Sequence, residues 1–255
     1  MGIQQSVMQT SAIETDEEEE NANSSLNWYN SNSGEKSEYN SLGSLDPWQK
    51  EREGRWMKHY SSCHRILLVG EGDFSFSTCL ASAFGWASNM VATSFDSQAF
   101  LVKNYRNALS NLVELRMRKC RVMLEIDATK MATHQLLSGM KFDRIVFNFP
   151  FAGFFKGLPR EAQIRLHRRL VSGFLENTKE MLSENGEIHI THKSNGFHGE
   201  WKLELVAFVH GLRLVEAVDF DKVEWPGYNT KYGFGGDHNF DCNPSITYKF
   251  RPFHI

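Results

Sequence analysis

Cysteine is scarce in this 255-residue chain. Cys63, Cys79, Cys120 and Cys242 stand far apart with no CxxC pair, which excludes a zinc or disulfide framework and points to a reducing compartment. No run of about 18 apolar residues exists to span a bilayer, and no basic segment followed by an apolar one opens the chain, so secretion is not expected. A strong charge of one sign is missing too. The net of −3 hides a segregation: residues 1–60 hold eleven acids and five bases, and the remainder carries a mild excess of +3. That excess is compatible with a nucleic-acid substrate but far from the field that would predict one alone.

What is present divides in two. Residues 1–57 read as a disordered acidic and polar tail, rich in Ser, Asn and Glu and including the run Asp16–Glu20; its protein partners are not encoded legibly. Met1–Ser6 fits the loose myristoylation rule with Gly2 as acceptor, but no polybasic stretch follows to hold a membrane. Residues 58–255 read as one α/β domain. Apolar runs predict strands at 65–69, 90–95, 121–126, 144–149 and 187–191. Between them fall helices with stripes Phe76, Cys79, Leu80, Ala83, Phe84 and Leu101, Tyr105, Ala108, Leu109, Leu112, a weak helix at 131–137 and a long one at 160–182. A helix at 201–210 and two strands, 214–220 and 245–250, close the domain as an antiparallel pair. This is the seven-stranded, mostly parallel Rossmann-like plan of class I methyltransferases, with ligands at the carboxyl ends of the central strands.

Chemistry-bearing residues fall at those ends. After the first strand, Gly70-Glu71-Gly72-Asp73-Phe74-Ser75 offers two glycines for close backbone approach, and Ser75 is expected to cap the following helix. Ser75 also replaces the third glycine of a dinucleotide fingerprint, which weighs against a nicotinamide dehydrogenase. Asp96, with Ser97 after it, ends the second strand, where a carboxylate can accept ribose hydroxyls; Asp127 ends the third, near an adenine amino group. Either aspartate could instead be a helix cap. The fourth strand ends Asn148-Phe149-Pro150-Phe151, where proline is expected to hold Phe149 extended and aim the Asn148 amide at a methyl donor. Phe149 or Phe151 could stack on a planar base, or both could be core. His192 and Lys193, ending the fifth strand, could supply a proton acceptor and a cation, or form an ordinary strand terminus. In the late loop, Trp225 to Gly236, Tyr228 and Lys231 could cover a flipped base.

The segments LLVGEGDFSFS (67–77), VATSFDS (91–97), FDRIVFNFP (142–150), GEIHITHK (186–193) and WPGYNTKYG (225–233) resemble the ribosomal RNA uridine-N3 methyltransferase-like family of fungal large-subunit enzymes and plant relatives. The resemblance implies S-adenosylmethionine as cofactor, ribosomal RNA as partner and work in the nucleus or nucleolus; the cytoplasm is the second expectation, and the histidine and cysteine spacings lead to no metal being expected. A monomer is expected. Two positions depart from the family pattern: Phe151 stands where a His is usual, and Tyr232 where an Arg is usual. These departures favour the alternative reading, a catalytically weakened or inactive adapter that keeps the fold.

Overall fold

The computed structural model describes residues 54–233 and 236–253. The expectations for the acidic tail and for Gly2 lie outside the described residues. The described chain opens with a short hairpin, β1 (Trp56–Met57) against β2 (Tyr60–Ser61). Then follow β3 (Ile66–Val69), α1 (Ser75–Phe84), β4 (Met90–Thr93), α2 (Gln98–Asn104), α3 (Ala108–Met117), β5 (Arg121–Met123) and β6 (Phe142–Asn148). Next come α4 (Arg160–Lys179), β7 (Leu182–Lys193), α5 (Gly196–Gly199), α6 (Leu203–Val209), β8 (Leu212–Asp219) and β9 (Ser245–Pro252).

Seven strands form one sheet in the order β5-β4-β3-β6-β7-β9-β8. β3 to β7 run parallel, while β9 is antiparallel to both β7 and β8. The order reverses at β3, whose successors lie on opposite sides of it, so the adjoining carboxyl ends of β3 and β6 make the crevice where such sheets bind ligands. β3 shows why the centre is apolar throughout. Ile66 and Leu68 join the core beneath α1 and α3, while Leu67 and Val69 join the core beneath α4 and α6, and all four are buried.

Several boundaries differ from the sequence expectation. The long helix ends at Lys179 because Leu182 already pairs with Phe142, so Asn185-Gly186 lies within β7, at its register shift, and not at a helix end. Gly186 is required there by close approach, since a Cβ would sit 2.9 Å from the Phe142 carbonyl oxygen. The expected helix over 101–112 is two helices, because Tyr105 adopts extended geometry between them. Consequently Leu109 turns outward, as does Ala83 on α1. The weak helix at 131–137 is a single 3₁₀ turn, Met131–Thr133, and the 201–210 helix shortens to α6.

Candidate active site

A cavity of about 950 Å³ opens along the carboxyl ends of β3 to β7 and under the late loop. Its first lobe is built by the turn after β3. Gly70 has φ +68, and a Cβ there would come within 2.4 Å of the Phe147 ring, so both its conformation and its space demand glycine. The Glu71 N–H donates to the Thr93 carbonyl (2.9 Å) and the Ser94 hydroxyl to the Glu71 carbonyl (2.6 Å), tying the turn to β4. Asp73 Oδ1 accepts from the Ser75 N–H at 3.0 Å, and Asp73 Oδ2 is buried with no well-formed hydrogen bond among the described residues, its polar neighbours being the Ser75 and Asn229 side chains. Phe74 takes a left-handed conformation, φ 62 and ψ 16, and makes no side-chain cap. Ser75 is therefore not the cap that its position suggested: it is the first helical residue. Its Oγ instead accepts from the Asn229 N–H at 2.9 Å and lies 3.4 Å from the Asn229 carbonyl, clasping the late loop.

At the end of β4 the cap of α2 is Ser97, whose Oγ accepts from the Phe100 N–H, so the cap reading of Asp96 falls. Asp96 lines the cavity, half-buried, and its carboxylate makes no hydrogen bond among the described residues; burial raises its pKa. Asp127 also lines the cavity, but its Oδ1 accepts from Thr129 through N–H (2.9 Å) and Oγ1 (2.7 Å), a local turn. Desolvation opposes ionisation of Asp127, yet these bonds and Lys130 bring its pKa below the usual range. Phe74 and Ser97 are not part of the lining. Tyr105 is. Its hydroxyl is buried without a partner, and its apolar stripe position concealed this in the sequence. The open carboxylate of Asp96, near the unpaired Tyr105 hydroxyl, suits a ligand with hydroxyls and positive charge.

The second lobe begins where β6 ends, between its neighbours: Val69 aligns with Phe147, and Asn148 with Thr191. Both polar atoms of the Asn148 amide are buried without a well-formed hydrogen bond, their polar neighbour being the Tyr228 hydroxyl. Phe149 is not extended. It has φ +50, stabilised by its N–H bond to the Thr191 carbonyl (2.7 Å) and by ring contacts with Phe220 and Phe240. A bulky residue in this region, directly before proline, is strained, and such strain concentrates at functional sites.

Phe151 stacks on His167 (4.7 Å between ring centres), and His167 stacks on Trp201 (4.4 Å). His167 Nδ1 accepts from the Ala152 N–H, and burial lowers its pKa to about 4. His192 lies against Trp201 and His198; its Nε2 is buried without a partner, and desolvation lowers its pKa to about 3. Lys193 Nζ donates to the Asp241 carbonyl at 2.5 Å. Tyr228 packs on Phe76 and Phe220, and Lys231 pairs with Asp237 at 2.8 Å. His167, His198 and Phe197 line this lobe without having been singled out in the sequence; spacing alone could not find them, because the fold brings α4 and α5 together. Among the described residues no cluster of three metal-ligating side chains occurs, and no helix is long and apolar enough to cross a membrane.

Sheet order and the crevice at the strand-order reversal define a class I methyltransferase fold. The family model described as BMT5-like, rRNA (uridine-N3-)-methyltransferase, matches residues 67–232, and the chain belongs to that family. The Arabidopsis thaliana protein At4g26485 is 47% identical over 201 residues, covering 77% of this chain and 96% of that one. Heavy metal-associated isoprenylated plant protein 41 of the same plant is 45% identical, over 77% of this chain but only 38% of its own length. The 25S rRNA (uridine(2634)-N(3))-methyltransferase of Saccharomyces cerevisiae is 25% identical, over 71% of this chain and 69% of that one. Among solved structures, TrmN from Thermus thermophilus aligns with TM-score 0.46 and 16% identity over 74% of this chain and 44% of that one.

Proposed function

We propose that this chain transfers a methyl group from S-adenosylmethionine to N3 of a uridine in ribosomal RNA. The observation that carries this reading is the position of the unsatisfied Asn148 amide, on the strand between an acid-lined lobe and an aromatic, imidazole-rich one. The cofactor supplies an electrophilic methyl on a sulfonium. Asp73, Asp96 and Asp127 border the part of the cavity that would hold it, a field suited to its positive charge, with Asp96 accepting ribose hydroxyls and Gly70 and Gly72 admitting the backbone.

The acceptor base would enter the second lobe beside Phe149, where Asn148 orients its polar edge. Uridine N3 must lose its proton before it can attack. His192, with a pKa of about 3, is too weak a base to keep that proton, which leaves to water before transfer, and the neutral imidazole lines the wall beside the base. Lys193 favours the imide anion that results. Phe151 and Tyr232 support a second reading, a non-catalytic adapter, because Phe151 puts a ring packed on His167 where the family usually has an imidazole. Action on ribosomal RNA would locate the work in the nucleus or nucleolus. The two readings separate by mass spectrometry of rRNA nucleosides from cells lacking the protein. Loss of 3-methyluridine is expected; an unchanged nucleoside profile favours the adapter.

A further inference from the structure

The acids Glu71, Asp73, Asp96 and Asp127 line the cavity from the ends of β3, β4 and β5, with Lys231 of the late loop beside Asp73, and Lys193, Asp241 and Lys156 line it elsewhere. Lys156 lies on the loop between β6 and α4, is exposed, and has no acid paired with it among the described residues. The same loop carries Phe154, 59% exposed although its ring meets Phe151 edge-on at 4.9 Å. From the late loop comes Tyr232, 47% exposed, its ring tilted against Phe240. Two loops thus bring large rings to the cavity wall with much of their surface left in water, and one of them adds an uncompensated cation. Burial would favour covering these rings with a planar group, and the lysine favours an anion beside it. A nucleotide strand offers both along its length, planar bases and regularly spaced phosphates.

We infer that this rim clamps single-stranded RNA on either side of the acceptor nucleotide, with Phe154 and Tyr232 stacking on flanking bases and Lys156 neutralising a phosphate. The inference rests on the methyltransferase reading only in taking RNA as the acceptor. A duplex keeps its bases stacked on one another and cannot use the two rings.

The test is fluorescence anisotropy of the full chain with a labelled uridine-containing single strand and the matching duplex, over a range of salt, in parallel with calorimetry of S-adenosylhomocysteine binding. Single strand should bind more tightly than duplex. Phe154→Ala and Tyr232→Ala should each weaken it about tenfold with the salt slope unchanged. Lys156→Gln should weaken it and flatten the slope by about 0.7. Cofactor-product affinity should hold in all three variants. If the wild type binds RNA and the variants bind it equally well, the rim is not the clamp, and the methyltransferase reading stands. If the wild type binds S-adenosylhomocysteine but no RNA, the RNA reading falls and the clamp falls with it. Variants that lose both ligands together overturn the clamp, because these residues would then be supporting the fold.

Discussion

Glu71 is a carboxyl group buried in the turn after β3, where desolvation raises its pKa to about 7. An unfolded glutamate ionises near 4.5, so between those values the folded state holds the extra proton. Stability therefore falls as pH rises through the window and levels off above it. The shift corresponds to about 3 kcal/mol at pH 8. Glu71→Gln keeps an oxygen for the Ser77 N–H and removes the charge, so it should melt several degrees higher than wild type at pH 8 and at nearly the same temperature at pH 4.5. A lower melting temperature at pH 8 would contradict that account. Asp96 is the complementary case, open in the structure and proposed to hold ribose. Asp96→Ala should weaken S-adenosylmethionine binding about tenfold or more by calorimetry, and unchanged affinity in a folded variant would remove it from the site. Strand-end aspartates and the Asn148 turn were legible because few local roles compete for polar groups there. Tyr105 and His167 were not, since Tyr105 reads as part of an apolar stripe and His167 lies on the inner face of α4, and their polar atoms become visible only when other elements converge on them.

At the scale of elements, strand centres were legible from β-branched runs, and errors gathered where tertiary contacts override local pattern. Pairing with β6 converted the end of the expected long helix and its Asn-Gly break into strand β7. The late loop between β8 and β9 was legible only as rich in rings and glycine. In the structure it is strapped across the turn after β3 through Ser75 and Asn229, and Thr230 and Phe240 hydrogen-bond across its two arms. Ser75→Ala removes the clasp at about 1 kcal/mol, so cofactor affinity should drop about fivefold while the melting temperature changes little. Limited proteolysis should show faster cutting within 226–241. Equal affinity and equal cutting would mean the strap is held elsewhere.

For the whole molecule, His167, His189 and His192 are buried and His59 is partly buried, and their pKa values are lowered to about 3 or 4, chiefly by desolvation. Unfolded imidazoles bind protons below about 6.5, so stability is complete above that pH and is lost as pH falls toward 4. Near pH 5 these four outweigh the opposing slope of Glu71, and the melting temperature should fall steeply with acidification; a flat profile from pH 7 to 5 would contradict the burial of these rings. The central claim is methyl transfer at the Asn148 turn, and the most direct measurement is transfer of tritium from labelled S-adenosylmethionine into ribosomal RNA, read after digestion to nucleosides. The account predicts label in 3-methyluridine with the wild-type chain, more of it with Phe151→His, and none with Asn148→Ala. Label in a different nucleoside, or a wild type and a Phe151→His variant that both bind cofactor yet transfer nothing, would contradict it.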